Sequence, residues 1–272
     1  MASQPPNTQV DGGALMRAVM ALSGGMDSTG LLMRLLAEGY KVSCLSYNYG
    51  QKHSIELERA KANIDYLASQ GHIVEHQIAD LSSAMSIFYS ALTTSGFDVP
   101  EGHYEEEQMK QTVVPNRNAI FASILYGYAI SVAVREDTEV SIALGVHSGD
   151  HAIYPDCRPE FYEAIGHAFT IGNWDSERVS FYLPYIDGDK ELILRDAEDA
   201  LTTLDLDFDV IFANTNTSYN PDSLGRSSGR SGADIERILA FHAVGRKDPV
   251  TYIEPWETVL ANALQVEKEM KS

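Results

Sequence analysis

The chain predicts a doubly wound α/β fold: a mainly parallel sheet flanked by helices, with a small helical lobe toward its C-terminal end. Three observations carry this. Short β-leaning apolar runs alternate with helix-length segments from residue 16 to about 204, an order that favours right-handed parallel crossovers. A glycine-rich turn, "SGGMDS" at 23 to 28, stands between the first run and the first helix. With 272 residues, 44% of them hydrophobic, the chain is long enough to build one large core without staples.

The runs "MRAVMAL" (16 to 22) and "KVSCLSYNY" (41 to 49) flank "GLLMRLLAEG", a helix-length segment closing in Gly39. Strand, helix, strand is the minimal unit of a parallel sheet. "SIELERAKANIDYLASQG" reads as a second helix, from a Ser54 cap to Gly71, and "HIVEHQIA" as a third strand. "NAIFASILYGYAISVAVRE" predicts an apolar helix buried on several sides, and "TEVSIALGV" another central strand. Helices over "PEFYEAIGHAFTIGN" and "GDKELILRDAEDALTTL" enclose "SFYLPYI", a strand or extended passage. Residues 94 to 111 are polar and punctuated, and read as a mobile loop or lid. After about 212 the texture turns rich in Ser, Gly and Asn, linker-like, before the helices "IERILAFHAVG" and "WETVLANALQVEKEMKS". The expected division is a disordered leader over 1–14, an α/β domain over 15–212 and a C-terminal lobe over 213–272.

Composition narrows the function classes. A formal charge of −19 argues against a nucleic-acid partner, because phosphate-tracking surfaces rest on clustered Lys and Arg. No tract of about 18 apolar residues stands out as a membrane span, and the polar start "MASQPPNTQVDGG" has no apolar core of an export signal. Two cysteines, Cys44 and Cys157, are too few for a disulfide framework and fit a reducing, cytoplasmic setting.

The turn at 23 to 28 carries the chemistry. Gly-Gly is also an ordinary way to turn a corner. A glycine-rich turn opening a helix nevertheless exposes backbone N–H groups at the positive end of the helix dipole, which suits an anion such as pyrophosphate. Gly24 and Gly25 admit close approach, and Ser23 and Ser28 add hydroxyls. Asp27 would repel phosphate unless Mg²⁺ sat between them, so its presence points to metal-assisted nucleotide chemistry. Neither G-x-x-x-x-G-K-[ST] nor G-x-G-x-x-G is present.

"SGGMDS" resembles the SGGxDS loop of N-type ATP pyrophosphatases. With "YGQKHSIE", "VPNRN", "LGVHSGDHAIYPDCRPEFYEAI" and "LPYIDGDKELI" in this order, the chain resembles the 7-cyano-7-deazaguanine synthase (QueC) family over roughly residues 17 to 250. Another branch of the ATP pyrophosphatases is the competing assignment. The resemblance implies a Rossmann-like sheet of the HUP, adenine nucleotide alpha hydrolase-like type. It also implies a reaction in which 7-carboxy-7-deazaguanine, ammonia and ATP yield the nitrile by way of the 7-amide. Adenylation suits that task, because a carboxylate has a poor leaving group and repels nucleophiles.

By that resemblance ATP lies on Leu22, Ser23, Gly24, Gly25, Met26, Asp27 and Ser28, with Asp27, Lys190 and Arg117 as the catalytic set and Mg²⁺ held through Asp27. Lys190 could equally be a solvated lysine in a first helical turn. The deazaguanine falls to Tyr49, Gln51, Lys52, His53, Asn118, Asp150, Tyr154, Asp156 and Arg158. Such a ring calls for an aromatic face and a carboxylate for its N1–H and amino edge, which Asp156 could supply. Arg117 or Lys52 could hold the substrate carboxylate or the adenylate phosphate. Cys157 reads as a packing residue beside the site rather than a nucleophile. His147, His151 and His167 have no metal-ligand spacing and read as ordinary polar histidines.

The family ends in a cysteine zinc knuckle, and here the chain departs from it. Aligning Arg237 and Phe241 with the family's arginine and aromatic puts Ser218, Ser228, Ser231 and Asp234 where thiolates would stand. Serine hydroxyls do not replace thiolates on Zn²⁺ at neutral pH. No zinc is expected, and side-chain hydrogen bonds or a partner must hold this lobe. Three functions follow as expectations: a ligase completing the nitrile from free ammonia; a relative that stops at the amide or passes the activated base to another amine, such as a partner protein's N-terminus in an antiviral system; and an idle homologue acting as a scaffold. A homodimer is compatible with each.

Overall fold

The computed structural model describes residues 16–51, 55–88, 90, 113–150, 154–218, 222 and 224–270, with the Asp150 and Met270 side chains left out. The expected leader, the segment 94–111, and Lys52, His53, Ser54 and His151 lie outside the described residues.

Strands β1 (Arg17–Ala21), β2 (Lys41–Asn48), β3 (Glu75–Asp80), β4 (Val140–Ala143) and β5 (Val179–Tyr182) form one sheet ordered β3-β2-β1-β4-β5. All four pairings are parallel. The chain winds outward from β1 through β2 to β3, then returns to the other side of β1 for β4 and β5. The carboxyl ends of β1 and β4 therefore border the crevice where the winding reverses, the usual ligand position in open α/β sheets.

Strand alternation sends β1 side chains to two cores. Ala18 and Met20 meet α1 (Met26–Ala37), α6 (Lys190–Leu204) and α7 (Phe208–Ala213) through Leu31, Leu35, Ile193, Ala197 and Phe212, with Phe241 of α8 (Gly232–Ala243) closing the layer. Val19 faces the opposite way, onto Leu125, Ala129 and Val132 of α4 (Arg117–Glu136). Helix α4 is buried on one side: Ser123, Gly127 and Ser131 line an exposed face, in place of the expected burial on several sides. It is long and apolar enough to cross a membrane by length and composition, a tract the sequence reading did not single out. Its apolar face packs on the sheet.

Helices α2 (Ile55–Ser69), α3 (Ser82–Met85) and α5 (Pro159–Gly172) complete the layers, and α9 (Trp256–Met270) packs against α8 through Ile235, Ile238, Val259 and Ala263. Helix α7 was not anticipated. Asp207 caps it by accepting from the Val210 amide at 3.1 Å, and Asn63 of α2 donates to the carbonyls of Ile211 and Asn214 near its end.

Candidate active site

The glycine-rich turn is held from below by strand-like bonding. The Leu22 amide donates to the Leu45 carbonyl at 3.0 Å, and Ser46 Oγ donates to the Leu22 carbonyl at 2.5 Å. At Gly24 the backbone takes φ +85°, and a Cβ there would stand 2.0 Å from the Glu56 carbonyl oxygen. Only glycine meets both conditions. The Asn216 amide donates to the Gly24 carbonyl, which ties the C-terminal lobe to the turn. Ser28 Oγ accepts from the Ser23 amide, and Ser23 Oγ accepts from the Gly25 amide, both at 3.2 Å. Gly25, the residue before α1, offers no side chain to cap the helix. The opening amides of α1 and its positive dipole end thus have no capping oxygen from that residue.

Four titratable groups meet behind this turn. Lys190 Nζ donates to Asp27 Oδ2 at 3.0 Å, lies 2.6 Å from His147 Nε2, and sits 3.5 Å from Glu236 Oε2. Lys190 is only 6% exposed, so it is not a solvated first-turn lysine. Burial pushes the Asp27 carboxyl up, but Lys190, His147 and Arg237 outweigh it and hold it below the ordinary carboxylate range. Asp27 Oδ1 is buried and has no hydrogen-bond partner among the described residues. Gly145, after β4, packs on the Asp27 backbone so closely that a Cβ would lie 3.1 Å from its carbonyl.

Between the ends of β1 and β4 opens a cleft of about 260 Å³. It brings together Ser23, Asp27 and Ser28 with Tyr49, Arg117, Asn118 and Cys157. Arg117 lies over the rings of Tyr49 and Tyr154, 5.9 and 6.0 Å from their centroids. Asp156 Oδ2 accepts from the Asn118 amide at 3.3 Å, and Asn118 Nδ2 donates to Cys157 Sγ.

Other expected site residues fall elsewhere. Leu22 and Met26 send their side chains into the core, so only their backbone faces the turn. Gln51 braces its own loop, accepting from the Tyr49 amide and donating to the Tyr47 carbonyl. Arg158 is exposed where α5 begins. Lys52 and His53 lie outside the described residues, as does the side chain of Asp150. Three residues not singled out for the site belong to it. His147 is buried against Lys190 instead of being an ordinary polar histidine, Glu236 joins the same cluster, and Glu56 lines the cleft. Burial raises the Glu56 carboxyl to about 7, with Arg117 holding it back.

Where thiolates were sought, the chain forms a hydrogen-bonded cluster. Ser231 Oγ accepts from the Asp234 amide while Asp234 Oδ2 accepts from the Ser231 amide, a reciprocal cap on α8. Ser218 Oγ donates to the same carboxylate oxygen at 3.3 Å. Ser228 turns aside and accepts from the Arg230 amide. Next to the cluster, buried Arg237 donates through Nε and Nη2 to the two carboxylate oxygens of Asp248 at 2.6 and 2.9 Å, and through Nη1 to Thr215 and Thr217. Among the described residues no three His, Cys, Asp or Glu side chains converge as a metal-ligating group.

Comparison with known proteins gives this geometry its relatives. The chain is 43% identical to a 7-cyano-7-deazaguanine synthase of Caldicellulosiruptor saccharolyticus over 237 residues, covering 87% of this chain and 96% of that protein. It is 41% identical to the enzyme of the same name from Methanoregula boonei, covering 87% and 99%, and 42% identical to that of Alteromonas mediterranea, covering 86% and 97%. Among solved structures, NMN synthetase from Francisella tularensis aligns with 92% of this chain and 85% of its own at TM-score 0.42 and 14% identity, a likeness too distant to build on. Residues 17–245 match the family described as "Queuosine biosynthesis protein QueC", and the chain is an enzyme that belongs to it.

Proposed function

We propose that the protein is a 7-cyano-7-deazaguanine synthase: it adenylates 7-carboxy-7-deazaguanine with ATP and converts the activated acid, with ammonia, to the amide and then the nitrile. The observation that carries this is the uncapped start of α1 beside a buried carboxylate–lysine pair, opening into a cleft lined by Tyr49, Arg117 and Asn118. The α1 amides, Ser23 and Ser28 suit the ATP phosphates. Lys190, fixed by Asp27 and His147, offsets negative charge as pyrophosphate departs. The buried Asp27 Oδ1, lacking a hydrogen-bond partner among the described residues, fits a divalent cation such as Mg²⁺, which when bound would neutralise the phosphates.

In the cleft, Tyr49 offers an aromatic wall, and Arg117, held over the rings of Tyr49 and buried Tyr154, suits the substrate carboxylate or the adenylate phosphate. Asp156 keeps a carboxylate oxygen beside the start of α4 for the N1–H and amino edge of the base. A cytoplasmic location is supported by two buried cysteines that form no disulfide, Cys44 and Cys157. The family relationship supports the deazaguanine as substrate.

Incubation with 7-carboxy-7-deazaguanine, ATP, Mg²⁺ and ammonium tests the reading by mass spectrometry. Accumulation of 7-cyano-7-deazaguanine is expected. A reaction that halts at the amide overturns the final step, and no ATP-dependent product overturns the reading as a whole.

A further inference from the structure

The adenylation chemistry leaves one requirement without a residue. Ammonia in neutral water is almost wholly ammonium, which has no lone pair with which to attack an acyl adenylate. A base within the cleft must take a proton from it. Asp27 is unsuited, because the Lys190 ion pair holds it ionised and weakly basic. Cys157 is buried and its sulfur accepts from Asn118.

Glu56, in the first turn of α2, lines the same cleft as Asp27 and Arg117. It is pinned there by its own backbone: its carbonyl oxygen lies against Gly24 at a distance that no side chain at position 24 would allow. The charged and titratable groups that line the cleft with it are Arg117 of α4, Tyr49 after β2, Asp27 of α1, Cys157 and Tyr162, and Arg117 is the charge that acts on it. Tyr49 feels its charge, since burial and the nearby Glu56 together push the phenol up to about 12. We infer that Glu56 is the general base of the amide-forming step, converting ammonium to ammonia beside the activated carbonyl. This assignment rests on the adenylation reading above.

The step balances as follows. The Glu56 carboxylate takes one proton from ammonium. The nitrogen lone pair then attacks the acyl carbon, a C–N bond forms, and the C–O bond to the adenylate breaks with its electron pair leaving on AMP. A second proton leaves the new amide nitrogen for solvent, and the Glu56 proton follows. A carboxyl group that titrates near neutrality suits this role, because it is ionised often enough to accept a proton and basic enough to hold it.

The test separates the two half-reactions in E56Q. Substrate-dependent ATP–pyrophosphate exchange reads adenylation alone, and it is expected to stay within about threefold of the unaltered protein. Amide formation from ammonium is expected to fall about 100-fold. Hydroxylamine is already uncharged at neutral pH and needs no base, so hydroxamate formation in E56Q should stay within about threefold. Equal losses with ammonium and hydroxylamine, or no loss with either, overturn the assignment while adenylation stands. Absence of exchange in the unaltered protein overturns the adenylation reading, and the assignment with it. Should E56Q lose exchange as well, Glu56→Asp decides: recovered ammonium turnover with a shifted pH profile supports the base, and exchange recovered without it overturns the base.

Discussion

Two helices begin within a short distance of the same backbone strand, and they begin in opposite ways. Helix α8 opens on Ser231 and Asp234, whose side chains and amides satisfy one another, with Ser218 donating to the same carboxylate oxygen. Helix α1 opens on Gly25, with no cap, beside a carboxylate oxygen that has no hydrogen-bond partner among the described residues. Asn216 joins the two regions, since its amide holds Gly24 and its side chain donates to the Ser218 carbonyl. A buried polar group left short of partners costs free energy. The Ser231 and Asp234 start of α8 is closed by its own hydrogen bonds, whereas the turn at α1 leaves helix amides without a side-chain cap and a buried carboxylate oxygen without a hydrogen-bond partner among the described residues.

Breaking each region should therefore have opposite consequences. The largest effects come from its charges. Arg237→Met strands Asp248 in the interior and should lower unfolding free energy by about 3–5 kcal/mol, read by urea denaturation. Asp27→Asn should cut turnover by about 10³-fold or more, yet, because Glu236 remains 3.5 Å from Lys190 as a counter-charge, shift unfolding by less than Arg237→Met does, about 1–2 kcal/mol. If Asp27→Asn unfolds the protein as Arg237→Met does, the contrast fails.

A pH series sharpens the comparison. The Glu56 carboxyl stands at about 7 in the folded protein against an ordinary value of 4.5, so the folded state binds more protons between those values. Its contribution to stability is full below about pH 4.5 and is lost as pH rises through 7. The E56Q protein should become more stable than the unaltered one by about 1–2 kcal/mol at pH 8 and show no advantage at pH 4.5.

Capping effects are smaller. Ser231→Ala should cost about 1 kcal/mol while leaving kcat within about twofold. Gly25→Ser is expected to do the reverse. Its φ of −82° accepts any residue, and a serine there supplies the missing cap, stabilising the fold by a few tenths of a kcal/mol while raising KM for ATP about tenfold. Smallest of all is the expected effect of chelation: a zinc chelator should leave the melting temperature unchanged, since the serine and aspartate cluster is closed by its own hydrogen bonds.

The parts of this molecule readable from sequence were those encoded over a few neighbouring residues. Alternation and turn chemistry marked the five strands and most helices, and the glycines of "SGGMDS" marked the tight turn between β1 and α1. Helix α7 was missed because its six residues are too few to show a period, although Asp207 was a legible cap. Glu56 and Glu236 look in sequence like ordinary charges on amphipathic helices. Only the packing of α2 and α8 against the turn takes them out of water. His147 has the same history: spacing alone made it unremarkable, and its role depends on meeting a lysine from another helix.

The most direct measurement is a crystal structure with ATP bound. The triphosphate is expected on the backbone amides of 23 to 28, within hydrogen-bond reach of Ser23 and Ser28 and beside Lys190. ATP bound elsewhere with that turn unchanged, or the turn occupied by the base instead of the phosphates, would contradict it.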